Sequence, residues 1–182
     1  MKKFSILIGT AAAIVTLTGC AVPAYDVEVY LSPKVREKYQ IRPSLEVDIA
    51  GINRTSEEHF KAIEVNDYFS PENMLRSGNA HATLHFSEEN GDPKCLAKSD
   101  AVWKKFADGS SDKIYLLVNL PLANGKKQKN DPRKIVIPLK DSIFSSNKRY
   151  FEITPSGLIQ LKNRPDYAAK AKIQQEKTEK KP

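Results

Sequence analysis

Several short stretches of this chain alternate polar and apolar residues with period two, the pattern of strands with one face in a core. Leu45, Val47 and Ile49 fall on one side of such a stretch, Glu46 and Asp48 on the other, and Gly51-Ile52-Asn53 reads as its end. Asp26 to Leu31 alternates for most of its length, and His81 to Ser87 puts Ala82, Leu84 and Phe86 on one face. Lys113 to Leu120 is apolar at nearly every position, which predicts a central strand covered on both sides. Arg133 to Leu139 forms another, whose Pro138 suits a strand end or an edge. Arg149 to Thr154 and Gly157 to Lys162 flank Pro155-Ser156-Gly157, a hairpin signal. Seven strands result.

Three short helices are expected between them. Thr55-Ser56-Glu57-Glu58 has capping-box spacing and leads into a helix through Ala62. Ser70-Pro71-Glu72 reads as the cap and first turn of a second, ending near Arg76. Ser99 to Ala107 is the third, with Val102, Trp103 and Phe106 on one stripe and Gly109 as its stop. Pro33 could open a further helical turn over Lys34 to Tyr39. Glu88 to Pro93 is turn chemistry around Asn90-Gly91, and Pro121 to Pro132 reads as a long exposed hairpin loop. Strands at irregular spacing with short helices inserted favour a mainly β fold, a single β-sandwich domain. A βαβ layout would need regular alternation and longer helices.

The first twenty residues are of another kind. Lys2 and Lys3 precede an apolar run from Phe4, and the stretch to Gly19 has only 16 residues, against roughly 20 for a bilayer-spanning helix. Leu17-Thr18-Gly19-Cys20 resembles the bacterial lipobox. That resemblance implies cleavage between Gly19 and Cys20 and diacylation of Cys20, which becomes the mature first residue. Ala21 rather than Asp after the cysteine implies release to the outer membrane, with the domain facing the periplasm. The organisation expected is therefore a signal peptide over 1–19, a lipidated tether over 20–25, a sandwich over 26–162 and a charged tail over 163–182.

Charge and chemistry narrow the function classes. The chain carries a net charge of +7, of which Lys2 and Lys3 leave with the signal. Residues 163 to 182 hold six basic and three acidic residues and no apolar stripe, so they read as a solvated tail or frayed helix. The body is then close to neutral, unlike a nucleic-acid domain with its basic folded face. Cys95 has no intramolecular partner once Cys20 is acylated; it reads as a small hydrophobe half buried near a strand end, with a reactive thiol as the alternative. His81 and His85 lie four residues apart on one strand face, roughly 13 Å at about 3.3 Å per residue, too far to share a metal. His59 and the acidic pairs Glu57-Glu58 and Glu88-Glu89 complete no catalytic or metal set, and no phosphate loop or nucleophile elbow occurs. No enzyme, cofactor or metal site is expected.

Arg42-Pro43 leading into the strand Leu45 to Ile49, followed by Phe60 and the pair Tyr68-Phe69, resembles the outer-membrane lipoprotein of type VI secretion systems, the TssJ family. Ile41 stands where that family favours Gly, and Ala50-Gly51-Ile52 replaces its usual Tyr-Gln-Leu. The resemblance implies a transthyretin-like β-sandwich and a scaffold role, with loops at one end contacting the periplasmic part of an inner-membrane secretion subunit. Lys126, Lys127 and Lys129, at the tip of the long loop, are the candidate contact residues, against a plain solubilising role. The alternative reading is an envelope lipoprotein that binds a small ligand or cell-wall component, with Trp103 and Tyr115 as its candidate cleft aromatics.

Overall fold

The computed structural model describes residues 22–40, 43–87, 93–121, 130–139 and 147–167. In chain order its elements are β1 (Asp26–Leu31), α1 (Pro33–Tyr39), β2 (Leu45–Ile52), α2 (Arg54–Ala62), α3 (Val65–Tyr68), α4 (Met74–Gly78), β3 (His81–Phe86), β4 (Lys94–Leu96), α5 (Val102–Asp108), β5 (Lys113–Val118), β6 (Lys134–Pro138), β7 (Lys148–Thr154) and β8 (Gly157–Leu161). Two four-stranded sheets face each other, ordered β4-β1-β7-β8 and β3-β2-β5-β6. The chain is a β-sandwich. Every pairing is antiparallel except that of β1 with β7, which is parallel.

The inward residues follow the alternation. Val27, Val29 and Leu31 meet Leu45, Val47, Ile49, Ile114, Leu116 and Val118 across the sandwich, joined by Phe151 and Ile153 of β7. α5 closes one end of this core with Val102, Trp103 and Phe106, all buried. Gly51 lies within β2, not at its end, because a methyl group there would collide with the Phe106 ring and the Ser111 hydroxyl. The strand therefore needs a glycine where α5 crosses it.

A second core lies outside the sheet that contains β2. Ala50, Ile52, Tyr115 and Leu117 on its outer face pack against Phe60, Val65 and Tyr68 of the inserted helices. This explains why β5 is apolar on both faces. Asp48, expected on a polar face, is fully buried beneath the same insertion. It accepts hydrogen bonds from Tyr68 (3.0 Å), Arg76 Nε (2.8 Å) and Thr83 (2.7 Å), while the Arg76 guanidinium also reaches Glu46 (2.9 Å). A buried carboxylate is tolerated only when so satisfied.

Several sequence expectations change. There are eight strands and five helices among the described residues: the short β4 and the four-residue α3 carry too little periodicity to be read. Of the three inserted helices, α2 and α4 are capped by asparagine. Asn53 accepts from the Ser56 amide (3.1 Å) and Asn73 from the Arg76 amide (3.0 Å), so α2 starts at Arg54 and α4 at Met74, not after Thr55 or Ser70. Cys95 is exposed, in the middle of β4, rather than half buried near a strand end; desolvation, then the nearby Asp26 and Glu28 charges, still push its thiol pKa up.

The two expected flexible segments are docked where they are described. In the tether, Val22 packs against the core and Tyr25 is buried, its ring 5.0 Å from Trp103. At the other end, residues 163–167 lie over the outer face of β1 and β7. Arg164 donates to the Tyr30 hydroxyl (2.9 Å), Tyr167 donates to Glu152 (3.1 Å), and the Tyr167 ring stands edge-on to Tyr30 at 6.3 Å. Tyr30 and Glu28, which point away from the sandwich core, are buried in consequence.

Candidate partner-binding end

One end of the sandwich collects α1, the β7–β8 turn and the base of the loop over 121–132. α1 starts at Pro33, buries only Val35 and stops at Gln40 in the left-handed region (φ 58). It spans both sheets: Lys38 donates to the Pro155 carbonyl (3.3 Å) and the Tyr39 hydroxyl to the Pro121 carbonyl (2.7 Å). In the turn, Gly157 adopts φ +133 and its missing side chain makes room for the Pro132 carbonyl, which accepts from the Leu158 amide (2.8 Å).

Arg133 is the anchor of the loop base. Its guanidinium is buried, pairs with both oxygens of Asp131 (3.0 and 2.7 Å), and donates to Asn66 (2.6 Å) and the Leu120 carbonyl (3.2 Å). Burial alone would raise the Asp131 carboxyl, but the Arg133 hydrogen bonds and charge outweigh it and hold the pKa below its ordinary 3.8. Lys134 turns the other way and donates to the carbonyls of Phe60, Lys61 and Ile63, covering the C-terminal end of α2. Burial pushes its pKa down. Lys126, Lys127 and Lys129 lie outside the described residues, as do Gly19 and Cys20. The described residues on either side of that stretch, Pro121, Pro132 and Arg133, are tied to α1, α3 and the β7–β8 turn.

Beside α1 opens a cleft of about 670 Å³, lined among others by Tyr30, Pro33, Arg36, Pro93, Arg164 and Tyr167. Tyr30 in its wall belongs to a hydrogen-bonded string: Tyr30 donates to Glu28, and Lys148 donates to the same carboxylate (3.0 Å). Burial opposes ionisation of Glu28, yet these bonds prevail and keep its pKa below 4.5. Burial and the Glu28 contact push the Tyr30 phenol up to about 12.

The residues considered for other chemistry are dispersed. His81, Thr83 and His85 face outward from β3, opposite Ala50, Asp48 and Glu46, and His81 Nδ1 is 3.0 Å from the Asn79 carbonyl. Trp103 and Tyr115 are buried in different cores, so they line no common cleft. Phe60 and Tyr68 fill the second core, with Phe69 packed against it.

No protein-family model matches the chain, and no curated protein sequence matches it. Its architecture, however, is similar to solved structures. A chain in the structure of the T6SS protein TssM C-terminal domain from EAEC aligns with a TM-score of 0.54 at 13% identity, over 75% of this chain and 99% of that one. A chain of a type VI membrane complex aligns with a TM-score of 0.52 at 14% identity, over 77% and 98%. The fold is one found in type VI secretion. A more distant likeness, TM-score 0.46 at 11% identity over 78% and 99%, is to Serratia marcescens Lip, a membrane bound component of the Type VI Secretion System.

The sequence missed the cleft because its walls come from three distant segments. Pro165 and Tyr167 were the available signal, a rigid residue and an aromatic in an otherwise hydrophilic stretch.

Proposed function

We propose that this protein is a lipid-anchored periplasmic scaffold, the outer-membrane lipoprotein of a type VI secretion membrane complex. The observation that carries the reading is a lipobox, Leu17 to Cys20, in front of a sandwich whose fold occurs in chains of that system. The resemblance around Arg42-Pro43, Phe60 and Tyr68-Phe69 points the same way. Acylation of Cys20 holds the domain at the membrane. One chain binds only marginally, at roughly 0.8 kcal/mol per buried methylene, and two or three on one cysteine make the attachment durable.

The end with α1, the β7–β8 turn and the loop over 121–132 is then the face offered to the periplasmic part of an inner-membrane subunit. Its fixed loop base supports this, since ordering entropy at an interface is smaller when the flanks are already held. Cys20→Ser should leave an unacylated precursor that no longer fractionates with membranes in detergent-free buffer. Recovery of a cleaved, unacylated form in the membrane pellet would refute the anchoring.

A further inference from the structure

Where the mature chain would begin is unusually close to the folded body. Only Ala21 separates Cys20 from Val22, and Val22 already packs against the core. At about 3.6 Å per residue, the acylated cysteine reaches no more than about 7 Å from that docked residue. Tyr25, buried against Trp103, and Asp26, whose carboxylate accepts from the Lys98 amide (2.8 Å), fix the entry point beside the segment from Ala97 to α5. That segment presents Lys98, Ala101, Lys104 and Lys105 to solvent, with Asp100 and Asp108 also exposed on it. α1 and the β7–β8 turn lie at the opposite end of β1, a strand of six residues or roughly 20 Å.

We infer that the surface formed by Lys98, Ala101, Lys104 and Lys105 rests on the phospholipid headgroups of the membrane that holds the anchor, so the sandwich stands on its α5 end and points its α1 end away. This rests on the acylation of Cys20 proposed above. Two constraints act together. The leash is too short for the domain to roll over, and the side nearest the bilayer carries three lysines whose long stems can extend to headgroup phosphates. Lys104 gives up only an exposed pair with Asp108 (2.9 Å) to do so, and exposed pairs are weak.

The test uses the mature protein purified from membranes, with Cys95→Ser to remove its exposed thiol and its acylation read by mass spectrometry. A fluorophore is placed on Ala101→Cys or on Ser156→Cys. Each protein is reconstituted into phosphatidylethanolamine–phosphatidylglycerol vesicles carrying a headgroup spin label. Quenching of the reporter at 101 should exceed that at 156 at least twofold. A ten-residue Gly-Ser insertion between Ala21 and Val22 should bring the two within a factor of about 1.3, and Lys98→Glu, Lys104→Glu and Lys105→Glu combined should lower quenching at 101. Equal quenching at both positions in acylated protein overturns the resting surface and leaves the anchor standing. An unacylated Cys20 overturns the anchor, and the surface with it.

Discussion

Asp48 and Arg76 show how much a single buried carboxylate can organise. Asp48 belongs to β2, Thr83 to β3, Tyr68 to α3 and Arg76 to α4, so one side chain ties the helical insertion to two strands. Removing it leaves the Arg76 guanidinium with Glu46 as its carboxylate partner and takes the acceptor away from the Tyr68 and Thr83 hydroxyls. Breaking a buried pair from one side costs about 3–5 kcal/mol. Asp48→Ala should therefore lower the free energy of unfolding in urea by ~3 kcal/mol or more. Thr83→Val, which deletes one neutral donor, should cost about 1 kcal/mol. If the two variants had similar urea midpoints, the carboxylate would not be the centre of the cluster. The alternation of β2 places Asp48 on the outer face, and that part was legible. What covers that face depends on residues twenty to thirty positions away.

Among the elements, the segment 163–167 departs furthest from its sequence pattern. It holds no apolar stripe, yet it shields Tyr30 and Glu28 through one aromatic contact and two hydrogen bonds. Ending the chain at Lys162 should remove about 2 kcal/mol of burial and hydrogen bonding. For a domain of this size that lowers Tm by ~4–8 °C, and Tyr167→Ala alone should account for most of it. A melting curve unchanged by the truncation would show that the contacts contribute nothing net. Of the inserted helices, α2 and α4 were read from caps and turns, but each takes a different cap from the one expected. Asparagine at 53 and 73 competed for the cap position against Thr55 and Ser70 and won because its side chain accepts the third amide onward.

Over the whole molecule the two ends are built differently. At the α5 end Val22, the first described residue, packs on the core, and the α1 end carries the fixed loop base and the cleft. If partner binding resides in the loop over 121–132, replacing Lys126, Lys127 and Lys129 together with Ser should reduce capture of an inner-membrane partner from envelope extracts at least fivefold in low salt. The difference should shrink as salt rises, because exposed charges are screened over roughly 8–10 Å. The far-ultraviolet spectrum should stay the same, since Arg133, Asp131 and Tyr39 hold the base independently. Unchanged capture across the salt series would move the contact to α1 and the cleft beside Arg36.

The sequence alone determined the class of object: strands with one buried face, and a β-sandwich from their number and spacing. These are local or periodic features, written in runs of four to eight residues. Only the tertiary structure decided which strands became neighbours. β1 pairs in parallel with β7 from the far end of the chain, and no turn chemistry encodes such a crossover. The same holds for Asp48, Gly51, Tyr25 and Tyr167. Each was set by what packs onto it from a distant segment, through close approach at Gly51, desolvation at Asp48 and aromatic contact at Tyr25 and Tyr167.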